Sequence, residues 1–242
     1  MPKGGGGALE ENLDTGPALT EAEIRVRQAA VLLFAHRGYA ATGIRDIARA
    51  AGITSATLYH YTASKEDLLV QIMVTGQRLL TRNARQALEG VDRPEERLAI
   101  LVANLVGAHA TNPMTTIVVD TEVRALRAGS AEQNLVIGLR DEYEGLWRDT
   151  LELGAAQGVF HFTDEHLTRL GLLTMCAGMS RWYRPDGPDD PHQMIEKLTD
   201  TALGAVRASR AGRWLRSDDL PQRPPYAHIS VPWEPPANLP PA

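Results

Sequence analysis

The sequence has one cysteine, few aromatic residues and no long apolar run, and these scarcities exclude several classes of protein. Because Cys176 has no partner cysteine, the chain cannot contain an internal disulfide, which favours a reducing compartment. No apolar run approaches the roughly 18 residues that a membrane-spanning helix needs, and the N-terminal stretch MPKGGGGALEENLDTGP lacks the apolar segment of a secretory signal. We therefore expect a cytoplasmic protein with no membrane partner.

The rest of the composition is typical of a globular protein whose charge is unevenly distributed. Of the 242 residues, 43% are hydrophobic, 23% are charged and 5% are aromatic, which allows one large domain or two modest ones with a core. The net charge of −5 does not indicate a nucleic-acid partner. Residues 20–66, however, carry six Lys or Arg residues against four acidic ones, and this local excess favours contact with phosphate.

Helical periodicity and helix-end signals account for almost all of the chain between its two ends. Thr20 and Glu23 form a capping box at the start of the first helix, and Gly38 is placed to end it. Further helix starts are indicated at Thr42, Thr54, Ser64, Pro94, Met114, Ser130 and Thr163, and the last helix ends near Ser209. We predict an all-α protein of about nine helices with no sheet, followed by a proline-rich tail that is extended or disordered.

Two short helices on either side of Gly52 and Ile53 make a helix-turn-helix pattern in GIRDIARAAGITSATLYHYTASKEDLL, residues 43–69. Glycine permits a positive φ at the turn, and Ile53 and Leu58 can fill the core between the two helices. Small hydroxyl groups and one phenol are left on the outer face of the second helix, where they can reach base edges or phosphates in a major groove. An ordinary helical hairpin in a bundle is the alternative, because this spacing gives many false matches.

The stretch TGIRDIARAAGITSATLYHYTASKEDLL, preceded by LLFAHRGYAAT, resembles the DNA-binding domain of the tetracycline-repressor (TetR) family of transcriptional regulators. The resemblance covers residues 20 to about 69. It implies a homodimeric repressor with three N-terminal DNA-binding helices and a larger helical domain for ligand binding and dimerisation. The residues that it implies for DNA binding are Thr42, Arg45, Thr54, Ser55, Ala56, Thr57, Tyr59, His60, Tyr61 and Lys65. Among them, Thr42 and Arg45 correspond to backbone contacts and Lys65 to a phosphate anchor.

The resemblance also implies a division of the chain and reveals one departure from the family pattern. Residues 1–19 form a flexible tail, 20–66 the helix-turn-helix domain, 67–211 the ligand-binding and dimerisation domain, and 212–242 the proline-rich tail. Thr62 stands where the family usually has phenylalanine. Loss of a buried phenyl ring predicts a packing cost of roughly 2–3 kcal/mol between the fourth and first helices, unless neighbouring side chains fill the gap.

A second resemblance concerns the segment RWYRPDGP, residues 181–188, which is similar to a signature of one branch of the family. That branch contains regulators of fatty-acid, aromatic-acid and steroid-ring degradation that respond to acyl-CoA thioesters. We therefore expect an apolar, Met-rich effector pocket with arginines at its edge that meet the coenzyme A phosphates. The residues predicted for this pocket are Met114, Val118, Arg124, Tyr143, Trp147, Arg148, Met175, Met179, Arg181 and Trp182, with Arg127, Arg140 and Arg184 as further edge arginines.

Other interpretations of this half of the chain remain open. Apolar residues at helical spacing are more often core than pocket, and the arginines can form a solvated helix face beside acidic neighbours. Gly178 replaces a tryptophan that the branch often has a turn before the Trp-Tyr pair, so a ring-bearing acyl-CoA or a non-CoA aromatic or drug-like inducer is also open. A helical small-molecule enzyme or sequestering protein without a DNA function is a distant alternative.

Dimerisation is indicated by two helices with extensive apolar surface. The helix from Thr163 contains LGLLTMCAGM, which is apolar on nearly all sides, and the final helix has a continuous apolar stripe. Two such helices from each chain would form a four-helix interface, and a symmetric dimer would read a pseudo-palindromic operator in double-stranded DNA. We expect no metal, no catalytic residue and no cofactor other than the effector, since HFTDEH straddles a helix start and Cys176 lies in an apolar run.

Overall fold

The computed structural model describes residues 19–181, 183, 190–220 and 229–236. Within these ranges the chain forms nine α-helices: α1 (Glu21–Arg37), α2 (Ile44–Ala50), α3 (Ser55–Leu58), α4 (Lys65–Leu88), α5 (Pro94–Thr111), α6 (Pro113–Thr121), α7 (Ala131–Ala156), α8 (Glu165–Ala177) and α9 (Pro191–Ala205). A small hairpin pairs β1 (Ser209–Arg210) with β2 (Arg213–Trp214), and 3-10 turns occupy Glu122–Ala125, Gly178–Arg181 and Ser217–Asp219. The all-α prediction is confirmed, although the hairpin was not expected. In the described part of the chain, no helix is both long enough and apolar enough to cross a membrane.

Local capping fixes several helix starts where the sequence predicted them. In the capping box of α1, the Thr20 amide donates to Glu23 Oε2 at 2.8 Å and the Glu23 amide donates to Thr20 Oγ1 at 3.3 Å. Thr54, Ser64 and Ser130 accept hydrogen bonds from the amides three residues ahead, at the starts of α3, α4 and α7. These side chains satisfy backbone N–H groups that a helix start otherwise leaves unpaired.

Two predicted helix starts are wrong by one residue. Gly43, not Thr42, precedes α2, and the Asp46 carboxylate accepts from the Gly43 amide at 3.1 Å. Asp164, not Thr163, caps α8, where its carboxylate accepts from a first-turn amide at 2.8 Å. In both places a carboxylate is the acceptor, and its negative charge suits the positive end of the helix dipole better than a hydroxyl does.

The buried residues form two cores, which we call the proximal and distal cores. The proximal core joins α1, α2, α3 and the first half of α4 to Val118 and Val119 of α6 and to two residues near the C-terminus. The distal core joins the second half of α4 to α5, α7, α8 and α9 around Trp147. Because α4 contributes to both cores, it links the N-terminal helices to the larger domain.

The two helices expected at a dimer interface differ in how much of their apolar surface is free. α9 packs along α5, and its apolar stripe is buried within the chain. The stripe consists of Met194, Ile195, Leu198, Ala202 and Val206. α8 buries Leu172 and Cys176 but leaves Leu167 66% exposed and Leu170 38% exposed. Although LGLLTMCAGM is apolar on nearly all sides, a single chain buries only part of it, and it is α8 that has large apolar side chains exposed.

Part of the proline-rich tail packs onto the body of the protein. Residues 229–236, which we call the C-terminal strap, lie against α1 and the start of α6. Trp233 is only 1% exposed, and Val231 is buried in the proximal core with it. Of the two predicted alternatives, the extended one fits this segment, which contains no helix or strand. The sequence ISVPW supplies the apolar side chains that are buried despite the surrounding prolines.

Candidate DNA interface and effector pocket

The turn between α2 and α3 holds these two helices in a fixed relation. Gly52 has a φ of +70°, which suits glycine, and the Ile53 amide donates to the Ala48 carbonyl at 2.9 Å. Ile47 and Leu58, one from each helix, are completely buried in the proximal core. The outer side of α3 is thereby presented to solvent on a packed base.

Most of the side chains predicted for DNA binding lie on this outer side, which we call the reading face. Its exposed members are Arg45, Thr54, Ala56, Tyr59 and His60, and its partly exposed members are Ser55, Thr57 and Tyr61. Tyr59 is a large side chain with 55% of its surface exposed. The Thr54 hydroxyl caps α3 by accepting from the Thr57 amide at 3.1 Å, and it lies 2.9 Å from the Thr57 hydroxyl. The arrangement can offer hydroxyls, a phenol and a guanidinium to a groove, and the individual contacts stay predictions.

Thr42 and Lys65 are the two predicted DNA contacts that the structure places elsewhere. Thr42 is buried, and its hydroxyl donates to the Gly38 carbonyl at 2.9 Å. The Lys65 ammonium donates to the carbonyls of Tyr39 and Thr42 at 2.8 and 2.7 Å, and it lies 4.0 Å from the centre of the Tyr39 ring. Burial lowers the pKa of Lys65. The Lys65 side chain fastens the start of α4 to the α1–α2 loop, and the Thr42 hydroxyl fastens that loop to the end of α1. Thr42 is too buried for its side chain to contact DNA directly, whereas a phosphate contact of Lys65 stays a prediction.

The departure at Thr62 is accommodated by hydrogen bonds. Thr62 is buried, and its hydroxyl lies 2.7 Å from the Ser64 carbonyl and 2.9 Å from Asp67 Oδ2, either of which can accept its one proton. The same carboxylate oxygen accepts from Gln71 Nε2 at 3.0 Å, and Gln71 in turn accepts from the Arg27 guanidinium at 3.0 Å. The site that a phenyl ring occupies in the family is therefore a polar junction between the helix-turn-helix, α4 and α1.

A largely apolar cavity of about 190 Å³ lies in the larger domain, close to the middle of α4. Its walls come from α4, α5, α6, α7 and α8, and the C-terminal strap contributes Ile229 and Val231. The other residues that line it are Gly76, Gln77, Leu79, Leu80, Leu105, Ala108, His109, Asn112, Thr115, Thr116, Val119, Asp120, Arg140, Tyr143, Glu144, Leu173 and Ala177. A concave, mainly apolar site with a few polar groups is the usual form of a small-molecule pocket.

The charged groups of the cavity wall are matched with one another. His109 lies with Nε2 3.0 Å from Asp120 Oδ2, and its Nδ1 is 2.8 Å from the Leu105 carbonyl. The Arg140 guanidinium donates to the Val119 carbonyl, and burial lowers its pKa while Asp120 and Glu144 oppose that shift. The cavity therefore presents little uncompensated charge to a ligand, which favours a neutral, apolar guest.

The predicted pocket residues are only partly those that line the cavity. Among those that the structure describes, Tyr143 lines it, and so does the edge arginine Arg140. The others lie elsewhere: Trp147, Met179 and Val118 are buried in the cores, Met114 and Met175 are half-buried beside them, and Arg124 and Arg148 are exposed. The side chain of Arg181 and the whole of Trp182 fall outside the described residues, as does most of RWYRPDGP. One turn beyond Tyr143 on α7, Trp147 is completely enclosed, so helical spacing alone did not separate pocket from core.

A second, wider groove of about 850 Å³ lies on the other side of the strap. Arg78, Arg82 and Arg85 of α4 line it, and we therefore call it the arginine groove. Glu89 and Glu142 line it too, and Glu142 pairs with Arg85 at 2.6 Å. The sequence did not predict a ligand site at these arginines. The strap that completes the groove lies more than a hundred residues away along the chain, so no local pattern indicated it.

The segment HFTDEH divides into separate structural roles. His161 Nε2 lies 3.2 Å from the Ser209 hydroxyl, Asp164 caps α8, and His166 Nδ1 lies 3.0 Å from the Arg169 guanidinium. Over the described ranges, no group of three His, Cys, Asp or Glu side chains could hold a metal ion. Burial raises the pKa of the Cys176 thiol to about 12, which is typical of a core thiol and not of a nucleophile.

A helix-turn-helix with an exposed second helix, mounted on a helical domain that encloses a cavity, defines a DNA-binding regulator with a site for a small ligand. The family described as "Bacterial regulatory proteins, tetR family" matches residues 26–72, and "Tetracyclin repressor-like, C-terminal domain" matches residues 91–206. The chain belongs to the TetR family of transcriptional regulators. The two matches together end at residue 206, before the strap.

Individual relatives agree with this assignment. The transcriptional repressor KstR2 of Mycolicibacterium smegmatis is 28% identical over 77% of this chain and 91% of its own length. KstR2 of Rhodococcus jostii is 34% identical over 65% of this chain and 78% of its own length. The structure of the ketosteroid transcriptional regulator KstR2 of Mycobacterium tuberculosis is similar with a TM-score of 0.73 and 26% identity, over 81% of this chain and all of that one. The protein is accordingly a transcriptional repressor and not an enzyme.

Proposed function

We propose that this repressor binds its operator as a homodimer and is released by a small hydrophobic effector, an acyl-CoA thioester. The observation that carries the proposal is the double role of α4. Its first turn is fastened behind the reading face through Lys65, and its residues 76–80 form one wall of the cavity. A ligand that displaces this wall also displaces the scaffold of the reading face, so it can favour a conformer that no longer fits DNA.

The cavity limits the part of the effector that it can enclose. Its volume of about 190 Å³ slightly exceeds that of an engineered apolar cavity of ~150 Å³ that binds benzene. A single ring or a short branched acyl group fits this space, whereas four fused rings do not. Similarity to KstR2, a ketosteroid regulator, supports a ring-bearing effector, and the cavity limits the enclosed part to about one ring.

Because the charged groups of the wall already have partners, we expect the phosphates of a coenzyme A carrier to lie outside the cavity. Arg140 is already engaged with the Val119 carbonyl and lies near Asp120 and Glu144, so it is a poor partner for a further anion. The neutral acyl group would lie inside and the charged carrier beyond the mouth. A non-CoA aromatic or drug-like inducer would fill the same cavity without a carrier, and it is the second candidate.

Dimerisation through α8 would cover large apolar side chains that are exposed to solvent in a single chain. Leu167 is 66% exposed, and Leu170 stands one turn away on the same helix. Two copies of α8 related by a two-fold axis would cover these side chains in a self-complementary interface. Such a dimer would hold two reading faces at a fixed separation, as a pseudo-palindromic operator requires.

The experiment is a titration of labelled DNA from immediately upstream of the gene at fixed salt, with benzoyl-CoA, isovaleryl-CoA or coenzyme A alone. Salt is fixed because phosphate contacts make the affinity steeply salt-dependent. We expect tight, selective binding that one acyl-CoA weakens about 5- to 150-fold, the range of a coupling of about 1–3 kcal/mol. Relief by a free aromatic compound instead would favour the second candidate. Absence of any selective operator, here and in a genome-wide selection, would overturn the proposal.

A cavity-filling variant provides the matched control. A Cβ at Gly76 would lie 3.6 Å from Val119 Cγ2, an ordinary contact, while a larger side chain would enter the cavity. Gly76→Val should therefore keep operator binding and lose most of the acyl-CoA response. Gly138→Val, on an open part of α7, should leave both unchanged.

A further inference from the structure

The side chain of Asn112 holds the C-terminal strap in place. Asn112 precedes α6, but its side chain caps no amide of that helix. It makes hydrogen bonds to two backbone groups of the strap instead. Its Nδ2 donates to the Ile229 carbonyl, and its Oδ1 accepts from the Val231 amide at 2.8 Å. Because Asn112 is buried, these hydrogen bonds replace ones that water would otherwise make. The strap is therefore fastened at a defined point, beside the cavity.

The N-terminal cap of α6 comes from the strap. The two carboxylate oxygens of Glu234 accept from the amides of Met114 at 2.8 Å and Thr115 at 3.0 Å. These are amides that the start of a helix leaves unpaired. α6 also supplies Thr115, Thr116 and Val119 to the cavity wall. The strap thus stabilises a helix that an effector in the cavity would touch.

The strap reaches the N-terminal helices through Trp233. Its ring is buried in the proximal core, and the Arg27 guanidinium of α1 lies 5.5 Å from the ring centroid. Trp233 Nε1 and Arg27 Nε are both buried without a hydrogen-bond acceptor among the described residues. Unsatisfied buried donors oppose docking, so the strap is held less firmly than its burial alone implies.

The strap also separates the cavity from the arginine groove. Leu79 and Val231 line both hollows, one residue from the body and one from the strap. Departure of the strap would join them into one site with an apolar end and a cationic end. Three arginines and two glutamates line the cationic end, and Arg78 makes no ion pair within the part of the chain that the structure describes. That arginine is the one available to a new anion.

We propose that residues 229–236 are a displaceable lid, and that the ligand that displaces them is an anionic amphiphile with its apolar group in the cavity and its anion on Arg78. The proposal rests on the effector role of the cavity, and it adds how the cavity opens and where the charge of the effector lies. Displacement removes the Trp233–Arg27 contact and the Glu234 cap together. Effector binding is thereby coupled to α1 as well as to α4.

The test uses the full chain and 1-anilinonaphthalene-8-sulfonate, an aromatic anion whose fluorescence rises in apolar surroundings. Trp233→Ala should bind this probe about tenfold more tightly than the unaltered protein, as expected when a lid that is closed about nine-tenths of the time is lost. Trp214→Ala, which removes a tryptophan that is 62% exposed, should bind it as the unaltered protein does. Equal affinities in all three proteins would overturn the proposal.

Two further measurements separate a specific site from loosened packing. Leu203→Ala damages the distal core away from the strap and should not tighten probe binding, whereas Arg78→Gln in the Trp233→Ala protein should reverse most of the gain. In the unaltered protein, a saturating probe should accelerate amide exchange across residues 229–236. The lid proposal would also be overturned if the bound probe left the amide exchange of the strap unchanged. It would equally be overturned if Arg78→Gln did not reduce the gain in probe affinity. None of these measurements involves DNA, so failure of the repressor proposal would be visible separately in the operator titration.

Discussion

The reading face and the cavity are built in opposite ways. The reading face comes from one continuous stretch, residues 45–61, and its side chains point to solvent from a short buried base. The cavity is assembled from five helices and the strap, with lining residues from Gly76 to Val231. Tolerance to substitution should therefore differ: side chains on the reading face can change without disturbing the fold, whereas tightly packed positions of the larger domain should not accept added atoms.

The largest effect that sharpens this comparison is expected at Gly154 in α7. A Cβ there would lie 2.5 Å from Cγ of the buried Phe160, and closer still to two other ring carbons. Because the clash is near the base of the ring, Phe160 cannot turn away from it. We expect Gly154→Ala to lower the free energy of unfolding by about 3 kcal/mol, the upper part of the range for overpacking, as measured by urea denaturation.

The matched control for this variant is on the same helix. Gly138 has no atom within 4 Å of its would-be Cβ, so Gly138→Ala should be neutral or stabilise the protein by up to about 1 kcal/mol. An unchanged unfolding midpoint for Gly154→Ala would mean that the Val159–Phe160 turn adapts, and that the larger domain is as tolerant as the reading face.

The next prediction compares two residues of the DNA-binding half, one that supports the fold and one that is exposed on the reading face. Lys65→Met removes a charged donor from two backbone carbonyls and should cost about 1.5–3 kcal/mol of stability. Because the ammonium already donates to two backbone carbonyls, we expect the slope of operator affinity against salt to stay unchanged. Thermal unfolding and DNA titrations at several salt concentrations measure the two quantities.

Tyr59→Ala should give the converse result. Its side chain is more than half exposed, so stability should stay within about 0.5 kcal/mol, while operator affinity falls by about 1–3 kcal/mol. A Lys65→Met protein of normal stability with a reduced salt slope would instead support the predicted phosphate-anchor role of Lys65.

The DNA-binding half could be predicted from sequence because its signals are local. The Thr20–Glu23 box, the Gly52 turn and the Thr54 cap each involve residues within a few positions of one another, and each was found where predicted. The burial of Thr42 and the carbonyl partners of Lys65 were not predicted, because they depend on how the α1–α2 loop packs against α1 and α4. The spacing of residues along the sequence does not reveal how these elements pack together.

The cavity could hardly be predicted, because its members are far apart along the chain. Tyr143 and Arg140 were found on α7, but the pocket residues of α4 and the α5–α6 junction carried no pattern that distinguished them from core. The strap was hidden by its prolines, and the only available signal was the apolar content of ISVPW. Pairing of Asn112 with residues more than a hundred positions away cannot be read from one sequence.

A smaller effect is expected at a hydroxyl in the cavity wall. Thr115 Oγ1 is buried and makes no hydrogen bond of good geometry among the described residues, although it stands close to the Glu234 carboxylate, whereas the Thr116 hydroxyl donates to the Asn112 carbonyl at 2.9 Å. Thr115→Val should therefore stabilise the ligand-free protein by about 1 kcal/mol, and Thr116→Val should destabilise it by a similar amount. Both are measured by urea denaturation. If Thr115→Val is the destabilising member of the pair, its hydroxyl has a partner in the free protein and is not reserved for a ligand.

The smallest effect concerns Cys176 of the distal core. Labelling of its thiol reports whether the distal and proximal cores unfold together. Burial raises its pKa from 9.0 to about 12, so in the folded protein the reactive thiolate is scarce at pH 8 and the thiol should resist labelling. The native state holds this proton more tightly than the unfolded state, so stability should fall as the pH rises from about 9 towards 12. Below pH 9, labelling should require opening of the distal core.

The free energy of that opening, obtained from labelling rates in increasing urea, can be compared with the global value from circular dichroism. Because α4 contributes to both cores and the strap ties α6 to α1, we expect the two values to agree within about 1 kcal/mol. A much smaller value for Cys176 would show that the larger domain opens while the helix-turn-helix stays folded. The contrast between the two regions would then extend from their construction to their stability, and coupling through α4 would have to act between units that fold separately.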